Sequence, residues 1–350
     1  MVRQDWEIIP DETMITTEPL VSVLVTPYNQ IAYLRQTLDS ILAQVCRFDF
    51  EIVIGEDCST DGTRELCLEY AAAWPDKIVL CLNEQNKGLL DNYFDIFLKA
   101  RGKYLADCGG DDYWLNTDKL QQQVDLLEKH PEVSLVTGNW QLLEQKTGKI
   151  TNNPSWIEHD WFRPQAYGLE AISNYLNTND IPRVSLASSC FRADWAKEAY
   201  ANNPELFRGP RVVCEDLPLT LCLLKRGPIY VSRNNWLVYR VLEKSLSHSE
   251  HRSDYMRGFA FSAYRQTLEL AFKLGVEPDA IGGYLRRKGG DFALHAFLNE
   301  DKALMDQLTD LWKEYDLKFP FKQTLLRFLM PLGWLAEPIR KIQRNRHRTP

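Results

Sequence analysis

From Leu20 the chain alternates short apolar runs with segments whose apolar residues recur every three or four positions. "LVSVLVT" (20–26) is a β-branched run that predicts a strand buried on both faces. In "NQIAYLRQTLDSILAQ" the spacing of Ile31, Leu34, Leu38, Ile41 and Leu42 predicts an amphipathic helix, with Asn29 as its cap. "FEIVIGED" (50–57) predicts a second strand, and "STDGTRELCLEYAAAW" a second helix capped by Asp61, Ser59 or Thr60. The series continues with "KIVLCLN" as strand, "GLLDNYFDIFLKA" as helix, "KYLADC" as strand, "TDKLQQQVDLLEKH" as helix and "EVSLVTGNW" as strand.

Such alternation implies right-handed βαβ units, hence an α/β fold with a mostly parallel sheet covered by helices. Ligands of such sheets bind at the carboxyl ends of the strands. Between about 140 and 240 the pattern loosens. "RVSLASSCF" predicts a strand, "CEDLPLTLCLLKRG" a helix with two acids at its start, and "PIYVSRNNWLVYRV" a last strand. Beyond about 250 the periodicity is helical, as in "DKALMDQLTDLWKEYDL". The expected organisation is a leader at 1–19, a catalytic-looking domain at 20–245, and a helical C-terminal region with a basic tail at 246–350.

Composition changes this picture in three places. A net charge of −7 argues against nucleic acid as partner, since phosphate neutralisation needs clustered cations. The one local exception is "RKIQRNRHR", where Arg340, Lys341, Arg344, Arg346 and Arg348 occur without an acid. It follows the apolar "LLRFLMPLGWLAEPI", which is too short and too interrupted to span a bilayer but suits an anionic membrane surface. Eight cysteines show no CxxC pair and no signal peptide opens the chain, which points to free thiols in a cytoplasmic setting, at the inner membrane face if the tail engages it.

The strand ends carry acid. Glu56 and Asp57 follow the second strand, Asp107, Asp111 and Asp112 the fourth, and Glu215 with Asp216 open a later helix. The first turn, "TPYNQ", lacks the glycines of a dinucleotide fingerprint, and no P-loop occurs. Carboxylates around a phosphate require a cation, so Mg2+ or Mn2+ held by one or two acids and the ligand's phosphates is the economical reading. In "DCGGDDYW" (107–114) Gly109 and Gly110 permit close backbone approach and Asp111 and Asp112 supply oxygens. The plainer alternatives are a solvated turn before the next helix, and for Glu215 and Asp216 an acidic pair favoured by a helix dipole.

Four motifs, "VSVLVTPYN", "FEIVIGEDCSTDGT", "KYLADCGGDDYW" and "CEDLPLTLCLLKRG", resemble in order and spacing the family 2 glycosyltransferases, which have the GT-A fold. The resemblance covers about residues 20–245. It implies a hexosyltransferase-type enzyme of polysaccharide biosynthesis. A sugar would pass from a nucleotide diphosphate donor, a UDP-sugar favoured, to a hydroxyl of a glycan or lipid-linked acceptor, with inversion. Thr26, Pro27 and Tyr28 would line the nucleotide pocket, and Asp57 with Glu56 would hold the base. Asp111 would bind the metal, Asp112 would help at the donor, and Asp216 would be the general base with Glu215 beside it. His248 would ligate the metal or, with Arg240, contact phosphate. Trp156, Trp161 and Phe162 would wall the acceptor site. Gly109 departs from the family's D-x-D pattern at its first acid. Two other readings stand beside this one: a nucleotidyltransferase, and a non-catalytic nucleotide-sugar-binding module.

Overall fold

The computed structural model describes residues 6–9, 18–178, 181–242, 255–318 and 320–331. The chain divides into two compact units, one of residues 1–172 and 182–243, the other of 173–181 and 244–350.

In the first unit the elements follow as β1 (Trp6–Ile9), β2 (Val21–Val25), α1 (Ile31–Leu42), β3 (Phe50–Glu56), α2 (Thr63–Ala73), β4 (Ile78–Asn83), α3 (Leu89–Lys99) and β5 (Tyr104–Asp107). Then come β6 (Tyr113–Trp114), α4 (Lys119–Lys129), β7 (Leu135–Glu144), β8 (Lys149–Asn152), β9 (Trp161–Phe162) and α5 (Leu169–Asn177), whose residues from 173 on belong to the second unit. The unit ends with β10 (Cys190–Arg192), α6 (Ala193–Asn202), α7 (Asp216–Arg226) and β11 (Ile229–Val241). One sheet runs in the order β1-β4-β3-β2-β5-β10-β7-β11-β6, with β8 on β7 and β9 on β11. Its centre is parallel: β2 pairs with β3 and β5, and β3 with β4. β11 and β7 form a second, long parallel pair. Short β10 joins the halves, antiparallel to both β5 and β7.

Every residue of β2 and β3 is buried, which is why both read as unbroken apolar runs. The polar exceptions are paired: Ser22 Oγ donates to Glu51 Oε1 at 2.6 Å, and Arg101 Nη2 to Glu51 Oε2 at 2.7 Å. The helices bury one stripe each against the sheet, as Leu34, Leu38 and Ile41 of α1 do.

Two local expectations are corrected. Asn29 does not cap α1; it sits at φ 52°, a left-handed conformation that Asn tolerates, and its Oδ1 accepts from the Thr60 amide at 2.8 Å. The amides of Gln30 and Ile31 are satisfied instead by Thr63 Oγ1 at 2.8 Å and Asp61 Oδ2 at 3.1 Å. Asp61 Oδ1 also accepts from the Thr63 amide at 3.0 Å, so one carboxylate serves the starts of α1 and α2. Nor is "RVSLASSCF" one strand. Leu186–Ser188 forms a 3-10 turn because the Ser188 and Ser189 hydroxyls donate to the Ser185 carbonyl at 3.1 and 2.6 Å, in competition with the ladder; only Cys190–Arg192 pairs.

The second unit is helical, with α8 (Phe261–Lys273), α9 (Gly282–Leu298), α10 (Lys302–Glu314) and α11 (Phe321–Leu329). Its core includes Leu268, Ala293, Leu304, Leu308 and Trp312, whose indole Nε1 donates to Tyr264 Oη at 3.1 Å. Among the described residues no helix is long and apolar enough to cross a membrane.

Candidate active site

Three of the motif turns meet at the carboxyl ends of the parallel strands. The Asp57 amide donates to the Pro27 carbonyl at 3.4 Å, which ties the turn after β3 to the turn after β2. Gly110 packs against the same turn: a Cβ there would stand 3.2 Å from Pro27 Cα and 2.2 Å from Gln30 Oε1. Pro27 is buried, Thr26 partly buried, and Tyr28 is exposed at the rim.

Asp57 is buried with both oxygens engaged. Its Oδ1 accepts from Asn83 Nδ2 and the Lys87 amide, and Oδ2 from the Gly88 amide, each at 2.9 Å. The carboxylate therefore orders the loop between β4 and α3. That loop is one wall of a cavity of about 500 Å³ whose other wall is Arg208, Gly209 and Val213, just upstream of Glu215 and Asp216. Glu56 does not point its charge at a ligand; it pairs with Arg64 Nε at 2.6 Å and accepts from the Ser59 amide at 2.7 Å.

The turn from β5 to β6 is braced from below. Thr37 Oγ1, on α1, donates to the carbonyls of Gly110 at 3.0 Å and Asp112 at 2.6 Å. Arg240, near the end of β11, donates its backbone N–H to Asp112 Oδ1 at 2.8 Å and its Nε to the Asp111 carbonyl at 2.7 Å. Its Nη1 and Nη2 donate to Gln145 and Gln36, each at 2.7 Å. The Asp111 and Asp112 side chains converge over Gly109: a Cβ at 109 would lie 3.2 Å from both Asp111 Oδ1 and Asp112 Oδ2. The missing side chain is what lets two carboxylate oxygens come so close to the backbone.

Charge in this region is strongly biased. Burial pushes the pKa of Asp111 up, opposed by its own amide and Arg240. Burial and the neighbouring charge of Asp111 push Asp112 well above the carboxylate range. Asp216 is driven well up by burial and then by the charges of Glu215 and Asp107, with the Leu186 amide opposing. Glu215 is raised by burial, and its Oε2 has no hydrogen-bond partner.

Asp107 belongs to this cluster. It closes β5 at 6% exposure, accepts from Tyr93 Oη at 2.8 Å through Oδ2, and leaves Oδ1 without a partner. Burial lifts it to about 7, with Glu215 adding and Tyr93 and Lys119 opposing. Lys119, fully buried, donates to Gln123 Oε1 at 2.8 Å and lies 3.9 Å over the Trp114 ring; burial lowers it to about 8.

Sequence reasoning passed over Tyr93, Lys119 and Thr37 because each reads as a helix residue on an otherwise apolar stripe. Their polarity at buried positions was the available signal. Phe162 does not wall this site. β9 pairs with Tyr230 and Val231 at the start of β11, where Phe162 packs 5.4 Å from the Tyr230 ring, ten positions along that strand from Arg240. His248 and the basic tail lie outside the described residues. Glu215 and Asp216 do open a helix, α7, so the dipole account and the site account hold together.

Among the described residues no three His, Cys, Asp or Glu side chains are placed to hold a metal ion by themselves. The fit to a hard cation is nevertheless good at Asp111 and Asp112, since one carboxylate oxygen from each converges on one cradle and both groups resist ionisation without added positive charge. Mg2+ and Mn2+ take one or two carboxylates and complete their shell from phosphates.

The sequence pattern of Glycosyl transferase family 2 matches residues 22–185, a segment that includes Asp57, Asp111 and Asp112 but not Asp216. An uncharacterised protein of Mycobacterium tuberculosis is 34% identical over 161 residues, 46% of this chain and 46% of its own. This chain thus spans about half the length of that relative. A Bacillus subtilis protein, TuaG, whose name places it as a glycosyltransferase of teichuronic acid biosynthesis, is 26% identical over 262 residues, 74% of this chain and 92% of its own. Among solved structures, S. aureus TarS 1-349 in complex with UDP-GlcNAc aligns with a TM-score of 0.63 at 18% identity, covering 91% of this chain and 87% of that one. The mannosyltransferase PcManGT from Pyrobaculum calidifontis, in complex with GDP-Man and Mn2+, aligns with a TM-score of 0.51 at 17% identity, covering 97% and 86%. These likenesses make the fold that of GT-A glycosyltransferases. Residues 22–185, a little under half of the chain, carry the sequence pattern of glycosyl transferase family 2.

Proposed function

We propose that the first unit transfers a sugar from a nucleotide diphosphate sugar to an acceptor hydroxyl with inversion, in the assembly of a surface polysaccharide. The observation that carries this reading is the group of five carboxylates, Asp107, Asp111, Asp112, Glu215 and Asp216, gathered at the strand ends with every pKa raised. A carboxylate held above its ordinary range is a stronger base at neutral pH. Asp216, at the start of α7, takes the acceptor's proton as its oxygen attacks the anomeric carbon from the face opposite the diphosphate. Glu215 beside it keeps that base strong through like charge.

Asp57 and the turn Thr26–Tyr28 receive the nucleotide base, and the loop that Asp57 orders forms the wall between base and sugar. Asp111, with Asp112, would hold Mn2+ or Mg2+, which supplies charge neutralisation at the departing diphosphate. Arg240 acts beneath the turn rather than on phosphate, because its guanidinium is committed to Asp111, Gln36 and Gln145. A UDP-sugar is the favoured donor, supported by the UDP-GlcNAc in TarS; the name of TuaG supports the polysaccharide role.

The test is a panel of nucleotide sugars with Mn2+, read first as ligand-dependent thermal stabilisation and then as transfer to candidate acceptors. Stabilisation by one donor class with Mn2+, and its transfer by the native chain but not by Asp216→Asn, is the expected result. Equal turnover by that variant would remove Asp216 as the base.

A further inference from the structure

The second unit carries an apolar surface on α11. Gln323 and Leu326 face its core, at 2% and 9% exposure. On the opposite side Phe328 is 79% and Leu325 43% exposed. Three positions apart on a helix, these two side chains are neighbours. At 3.6 residues per turn, exposed Lys322 falls on one flank of the pair and exposed Arg327 on the other. Among the described residues no acid pairs with either cation. An apolar strip between two cations is the pattern of a helix that lies in a lipid interface, ring buried among acyl chains and charges among headgroups. The sequence after α11 continues in kind, with Trp334, Leu335 and, past Glu337, Ile339, and then Arg340, Lys341, Arg344, Arg346 and Arg348 with no acid among these five cations.

We infer that α11 is a docking surface for an anionic bilayer, with Phe328 and Leu325 as the apolar anchor and Lys322 and Arg327 as headgroup contacts. A second copy of the chain is the poorer occupant. An isologous contact would set the same cations against each other, and like charges across an interface are repulsive. The inference does not depend on sugar transfer, since vesicle binding without turnover would defeat only the proposed reaction. It does supply a reason for the surface: an acceptor with a lipid anchor would be presented in the plane to which α11 docks.

The test is co-sedimentation of the full chain with phosphatidylcholine vesicles, with and without phosphatidylglycerol, at low and high salt. The chain should sediment with the anionic vesicles alone, and salt should release it. Leu325→Asp with Phe328→Asp should weaken partitioning by more than about tenfold, because the buried ring and branched chain are lost. Lys322→Glu with Arg327→Glu should weaken it by more than about 25-fold, at about fivefold per cation removed. All four side chains are exposed, so circular dichroism and melting temperature should stay as in the native chain. Failure of the native chain to bind anionic vesicles would overturn the inference, as would native-like binding by the Leu325, Phe328 double variant. A concentration-dependent dimer abolished by that variant, without vesicle binding, would assign the surface to a second copy and overturn it as well.

Discussion

Replacing Asp107 by Asn isolates the electrostatic cost of the acidic cluster. Asp107 is buried at the end of β5 with one oxygen on Tyr93 and the other unpaired, and burial with the Glu215 charge lifts its pKa from 3.8 to about 7. A folded-state value above the unfolded one means that the group binds its proton more tightly in the native chain. Its contribution to stability is complete below about pH 4 and is lost as pH rises through about 7. The shift of about three pH units, at about 1.4 kcal/mol each, sets the loss at about 4 kcal/mol. Asn keeps an acceptor for Tyr93 Oη and the shape of the side chain, but has no charge to lose. Urea denaturation in the presence of EDTA, run in parallel on both proteins, reads the difference directly. Asp107→Asn should gain on the native chain by about 2 kcal/mol between about pH 5 and pH 7, and the gain should level off above about pH 8. A difference that stays flat across that window would refute the argument, because it would place Asp107 in the ordinary carboxylate range and remove its coupling to Glu215.

Other consequences are checked by similar means. Asp216→Asn should lower turnover by at least about 100-fold while raising the melting temperature near neutral pH, since it removes a like charge beside Glu215. Asp61→Ala removes the carboxylate shared by the starts of α1 and α2, and denaturation should show a loss of about 2 kcal/mol, about one per helix start. Gly109→Ala puts a methyl group 3.2 Å from Asp111 Oδ1 and Asp112 Oδ2, so the rise in melting temperature caused by Mn2+ should shrink, with that of the metal-free protein nearly unchanged.

Much of the first unit is legible in the sequence because burial on both faces leaves β2 and β3 no room for polar alternation. The helices of the alternation, packed on one side only, keep the period of 3.6. The acids at strand ends are legible for the same reason, since the topology fixes where a ligand sits. Hydrogen bonds that cross long stretches of chain are less so. Asn29 is a cap by composition, yet the amides it would serve are taken by Asp61 and Thr63, about thirty residues on. Serine hydroxyls turn "SLASS" out of a strand, and an apolar pattern does not record them. Phe162 looks like a pocket wall until the pairing of β9 with the start of β11 carries it to the other end of the sheet.

Arg240 shows why charge and position do not decide a role. A lone arginine at the end of a strand beside an acidic turn invites assignment to phosphate. Its donors tell otherwise: at 7% exposure Nε, Nη1 and Nη2 each hold a protein oxygen, and the ring of Tyr33 lies 4.7 Å from the guanidinium carbon. The two roles respond differently to Arg240→Lys, which keeps the charge but reaches only one of the three acceptors. If the guanidinium braces the turn, two buried hydrogen bonds at about 1 to 1.5 kcal/mol each are lost, and the free protein should lose about 2 to 3 kcal/mol in urea denaturation. A phosphate ligand would leave the free protein's stability intact and weaken only the stabilisation conferred by the donor. The second pattern would return Arg240 to the diphosphate and leave the Asp111 turn held by Thr37 and the Arg240 backbone alone.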